Sequence, residues 1–314
     1  MNLIMKKLNW LLASIMMVAI LSACKQDAKV EESESKPEKA DTYLQIKGMY
    51  EQSKTKESAR AFINAIQRKA ASTEDSLEIR GYYNEGLMVA EKHQLGTEAI
   101  AFLMPLLKDY SNDTIKEDYI AKLGSALADL GKTIPANIMI SAYEDKYPNG
   151  RYDVILSKKK TEDIENPKAY IQLLAEKIFE NPDQYGINTA NAHKYVDACE
   201  AYALVYPESD QTPEFLYRAG EMARTIKTFT KALNIYDWLE EKYPNYEKTP
   251  TTVFLKGFML ENTLNEPEQA KEVYQRFVDN YPDHALVPDV QFLLENIGKS
   301  DEEIMQIIEE KNKK

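Results

Sequence analysis

Residues 206–213 read YPESDQTP, residues 243–250 read YPNYEKTP, and residues 281–288 read YPDHALVP. The two prolines are six apart in each stretch, and successive copies follow at 37 and 38 residues. The first proline ends a helix, because the residue before a proline is pushed out of the α region. The second fits the first turn of the next helix, where its missing N–H costs nothing. Thr212 and Thr249 then stand where N-caps belong, and Asn166 before Pro167 repeats the device. A fourth Tyr-Pro, Tyr147-Pro148, lacks the second proline.

Between these marks lie two helical patterns per period. Residues 213–227 (PEFLYRAGEMARTIK) and 229–242 (FTKALNIYDWLEEK) both space apolar residues by three and four, as do 250–264 and 266–280. A small residue in the first helix pairs with Ala in the second: Gly86 with Ala99, Gly124 with Ala136, Gly220 with Ala232 and Gly257 with Ala270. Small residues let the two helices approach, and Tyr236 and Tyr274, four residues on, fill the adjacent gap.

Composition agrees with a helical stack. Glycine numbers 11 in 314 residues, about half the usual ~7%. That scarcity argues against sandwiches, propellers and phosphate loops. With 39 basic and 51 acidic residues the net charge is −12, which works against nucleic acid or an anionic bilayer as main ligand. At 44% apolar and 29% charged, the chain can bury a core.

The N-terminus reads as a targeting segment. Lys6 and Lys7 precede a 12-residue apolar run, WLLASIMMVAIL (10–21), short of the roughly 20 residues that span a bilayer. It ends in Leu21-Ser22-Ala23-Cys24. These four positions resemble the bacterial lipobox, which implies cleavage before Cys24 and acylation of that cysteine, palmitate included. Such chains anchor by burying CH2 groups at about 0.8 kcal/mol each. An ordinary secretory signal with a chance cysteine is the alternative. The expected mature chain is 291 residues long. It loses only Lys6 and Lys7 among charged residues and so carries a net charge of −14. Residues 25–40 (KQDAKVEESESKPEKA) read as a disordered tether, reaching roughly 22 Å as a coil or about 55 Å extended.

The small-residue, Ala, aromatic and closing-proline pattern resembles the tetratricopeptide repeat, a 34-residue helix–turn–helix unit. The expected units are about 79–112, 117–149, 167–208, 212–245 and 249–283, with a degenerate hairpin at 42–70. Helices at 287–297 and 300–312 would cap the stack. In the third unit the helices are separated by Asn181–Asn188, and Tyr195 stands at the Ala position. Residues 150–165 form a charged, poorly periodic link where the stack is expected to bend or break. The fold class is therefore all-α, a tetratricopeptide-like helical-hairpin solenoid with a right-handed superhelix. The organisation is a signal peptide (1–23), a lipidated cysteine and tether (24–40), an N-terminal lobe (41–165) and a C-terminal lobe with capping helices (166–314). The Tyr-Pro variant combined with a lipobox resembles the outer-membrane tetratricopeptide lipoproteins of the BamD and YbgF type. That resemblance implies a scaffold for protein partners in β-barrel assembly or Tol–Pal-type envelope maintenance. By the sorting rule of such lipoproteins Lys25 implies the outer membrane, and since only Asp27 stands where surface-exposed lipoproteins carry an acidic cluster, the resemblance favours a periplasmic face. A ligand-binding lipoprotein for glycan or peptide uptake is the alternative.

No catalytic, metal or cofactor site is expected. Gly131-Lys132-Thr133 resembles the tail of a P-loop, but its first glycine would fall at Ala126 and the triplet sits between two helices. His93, His193 and His284 are scattered, and Cys199, three before Tyr202, reads as a buried thiol.

In tetratricopeptide families the concave groove is lined by the second, fifth, ninth and twelfth residues of the first helix. Carried over, the first unit offers Arg80, Tyr83 and Leu87, and the second offers Asp118, Ala121, Ser125 and Ala128. The fourth offers Glu214, Tyr217, Glu221 and Arg224, and the fifth offers Phe254, Phe258 and Glu261. Aromatic anchors with a few charges suit a peptide segment. Equally, these aromatics could pack against neighbouring repeats.

Overall fold

A computed structural model describes residues 42–110, 113–184 and 186–299, with 302, 303, 305 and 306 beyond them. Leader, Cys24 and tether lie outside the described residues, as does most of the expected helix at 300–312. The described residues form helices and no strands. They divide between Pro167 and Lys168 into two compact units.

The first unit contains α1 (Tyr43–Ser53), α2 (Lys56–Ala71), α3 (Ser76–Lys92), α4 (Gly96–Asp109), α5 (Asp113–Asp129), α6 (Thr133–Lys146) and the short α7 (Asp153–Ser157). Each helix from α1 to α6 packs against the next, so three hairpins stack in chain order. The N-caps of α1, α2 and α3 are those the side chains favour: Thr42 and Thr55 form capping boxes with Gln45 and Ser58, and Asp75 accepts from Leu77 and Glu78. The charged stretch 150–165 is ordered against α5. The Tyr143 hydroxyl donates to Glu117 at 2.8 Å and accepts from the Tyr152 amide at 3.0 Å, while Arg151 reaches Asp118 at 2.6 Å.

The second unit contains α8 (Pro167–Lys177), α9 (Thr189–Val205), α10 (Thr212–Thr225), α11 (Phe229–Lys242), α12 (Thr249–Asn262), α13 (Pro267–Asn280) and α14 (Val287–Asn296). From α9 onward each helix packs against its successor. The irregular third hairpin holds α9 by its cap. Asn188 accepts from the Asn191 amide at 3.0 Å and its own amide donates to the Ile178 carbonyl at 2.7 Å.

Hairpin turns and inter-hairpin links follow two different designs. Within a hairpin the turn passes through a left-handed residue: Gln94, Gly131, Lys227 or Asn265. The following amide reaches back to the first helix, as from Leu95 to Ala90, Lys132 to Leu127 and Thr228 to Ala223 at 2.8–2.9 Å. This is the Schellman closure, which satisfies carbonyls the helix end would otherwise orphan. Gly131-Lys132 is thus one of these turns.

The Tyr-Pro links are set differently from the capping expectation. Thr212 and Thr249 are already helical, and neither α10 nor α12 has a side-chain cap hydrogen bond. The Thr212 hydroxyl instead donates back to the Tyr206 carbonyl at 2.6 Å, and Thr249 does the same to Tyr243 at 2.7 Å. Those carbonyls, freed by the end of the preceding helix, also accept from the Ser209 and Tyr246 amides at 3.1 Å. Both threonines are fully buried, so satisfying the carbonyl there outweighs capping an amide. In the third link Val287 takes the place of threonine, and only the His284 amide reaches Tyr281, at 3.1 Å.

The small-residue pairing also takes a sharper form. Gly220 lies under the ring of Tyr236 and Gly257 under that of Tyr274, so that a β-carbon would stand 2.4 and 2.5 Å from ring atoms. Gly86 makes room for Phe102 in the same way. Gly124 faces aliphatic Met139 and Ile140 instead, where a β-carbon would stand 3.3 and 3.4 Å away, a tight fit but no overlap with a ring. The glycine accommodates the aromatic itself, not the alanine.

Candidate functional site

Seven of the groove candidates fall into two sets. Arg80 and Tyr83 belong to α3 of the first unit, while Tyr217, Glu221, Arg224, Phe254 and Phe258 belong to α10 and α12 of the second. Leu87 and Ala121, at the corresponding positions of the first two units, are buried in the core.

Tyr83, Tyr217 and Phe254 occupy one equivalent position, three residues before the hairpin glycine. All three are half-buried, and each takes its neighbours from the structure that follows it in the chain. The Tyr83 ring packs edge-on against Tyr110, 5.9 Å away, and tilted against Phe102 at 6.1 Å. Lys248, just ahead of α12, stands 4.8 Å over the Tyr217 ring, a cation–π contact. Phe254 packs on the cluster of Val253, Leu260, Val273, Tyr274, Phe277 and Val290, as does Leu286 ahead of α14. Tyr217 and Phe254 therefore close on the seam with the following repeat, whereas Tyr83 packs within its own. Phe258, one turn beyond Phe254, keeps 44% of its surface in solvent with its ring 6.1 Å from Phe254.

The charged candidates are engaged as well. Glu221 accepts the buried Tyr236 hydroxyl and is held by Arg224 at 3.0 Å. Glu261 accepts from Tyr274 at 2.9 Å. A tyrosine deep in the hairpin needs a partner for its hydroxyl, and the helix beside it supplies a glutamate. Burial first, then the neighbouring carboxylate, pushes Tyr236 and Tyr274 above the usual phenol range. Burial likewise raises Tyr217, with Glu221 adding to the effect.

Glu214, at the head of α10, is the most heavily shared carboxylate. It accepts from Lys248 at 2.8 Å, from Arg218 at 2.5 Å and from the Tyr246 hydroxyl. Burial works to raise its pKa, but these three donors outweigh that and hold the carboxyl at about 2. Tyr246 and Lys248 lie in the second Tyr-Pro link, so this cluster ties one repeat to the next. Both residues stand within YPNYEKTP, where their fixed distance from the punctuating prolines was the available signal.

Other reactive groups sit apart. Cys199 is fully buried, and burial raises its thiol above the usual range. His93 shares a hydrogen bond with the Tyr50 hydroxyl at 3.0 Å, and His284 accepts from the Leu286 amide. Among the described residues no three His, Cys, Asp or Glu converge as a metal ion would require. No described helix is long and apolar enough to cross a membrane.

The family model for the tetratricopeptide repeat matches residues 252–284, which take in most of α12, all of α13 and the start of the Tyr281-Pro282 link. This segment is a tetratricopeptide repeat. The matched segment contains the hairpin with Gly257 under Tyr274, and α10–α11 repeats that geometry at Gly220 and Tyr236. No curated protein matches the chain. As a stack of tetratricopeptide-type hairpins, the protein has the architecture of a scaffold for protein–protein interaction.

Proposed function

We propose that the protein is a lipid-anchored tetratricopeptide scaffold of the bacterial outer membrane, facing the periplasm and docking protein partners in envelope biogenesis. The β-barrel assembly and Tol–Pal-type systems are the contexts this reading names, and the protein performs no chemistry of its own. The single observation that carries the reading is the pairing of Leu21-Ser22-Ala23-Cys24 with tetratricopeptide hairpins downstream. Cys24 would hold the membrane through its acyl chains. Residues 25–40 would let the folded part stand off from the surface.

Of the groove candidates, Phe258 is the one whose ring remains open to a partner. Within the second unit Tyr217 and Phe254 would shape that surface from the seam beneath, with Glu221 and Arg224 setting its charge, while Arg80 and Tyr83 would offer a groove of the first unit's own.

Two experiments test the reading. Cys24→Ala should release the protein from membranes into the soluble periplasm, and retention in membranes would overturn the anchor. Crosslinking in intact cells, with captured proteins identified by mass spectrometry, should recover envelope-assembly components. Phe258→Ala should weaken that capture while leaving the melting temperature close to wild type. Recovery of only saccharide or a transporter would instead support a ligand-uptake lipoprotein.

A further inference from the structure

We draw no further inference here: the strongest candidate, the surface patch on α1 and α3 where exposed Leu44 and Leu77 each stand one turn before an open glycine, Gly48 and Gly81, carries nothing because nothing in the structure shows what covers it.

Discussion

The Tyr243 hydroxyl donates to the carbonyl of Pro207 at 2.8 Å, joining the second Tyr-Pro link to the first across 36 residues. The tyrosine of this motif therefore does more than precede a helix-ending proline. It measures the distance to the repeat before it, and Arg276 grips Glu240 at 2.6 and 3.2 Å over the same separation. Tyr243→Phe keeps the ring and deletes only this tie. It should cost about 0.5–1.5 kcal/mol, read as a lower urea midpoint with an unchanged slope. An unaltered midpoint would show that water replaces the bond without loss.

The threonines of the links separate two readings of the same residue. As an N-cap, Thr249 would accept from an amide, and Asp would serve as well or better. In the structure its hydroxyl donates to a buried carbonyl, which a carboxylate cannot do. Thr249→Asp should therefore destabilise more than Thr249→Val, which should itself lose about 1–2 kcal/mol. Urea denaturation of the two variants checks the order. An Asp variant as stable as wild type would restore the capping role.

Glycine-to-alanine changes should move stability in opposite directions at two helical sites. Gly81 has nothing near its missing β-carbon, so Gly81→Ala should stabilise by about 0.5–1 kcal/mol through helix propensity. At Gly220 the new carbon would lie 2.4 Å from Tyr236 Cε1, and Gly220→Ala should cost about 1–3 kcal/mol as the ring is forced aside. Thermal melts of both variants decide it. A stabilised Gly220→Ala would mean that the hairpin can open without penalty.

These sites also show what the sequence makes legible. The proline spacing and the three-and-four periodicity locate the hairpins from α3 to α13, because proline exclusion and helix-face burial act within a few residues. The scarcity of glycine is legible too, with a reason that emerges only in space: Gln94, Lys227 and Asn265 take left-handed turn positions where glycine is more usual. Contacts that arrive from a full repeat away are harder to read. Tyr217 lies on the expected face of α10, yet Lys248, 31 residues on, covers its ring. Thr249 has a hydroxyl that can accept or donate, and the position of the Tyr243 carbonyl decides between them.

Glu214 makes the seam between repeats sensitive to acid. In the unfolded chain a glutamate titrates near its ordinary value of about 4.3, whereas here the carboxyl is held at about 2. The folded state thus favours the ionised form, and between these values the unfolded chain binds more protons. Stability from this group is complete above about pH 4.3 and is lost as the pH falls through about 2. Glu214→Gln removes the charge that Lys248, Arg218 and Tyr246 share. The variant should be less stable than wild type at pH 7, with the gap closing as the pH approaches 2. Urea midpoints of both proteins at pH 7, 4 and 2.5 measure that convergence. The Glu117 carboxyl, which the Tyr143 hydroxyl holds below the usual carboxylate range, is present in both proteins, so the difference between the two curves isolates Glu214. Parallel curves would show that the cluster contributes no pH-dependent stability.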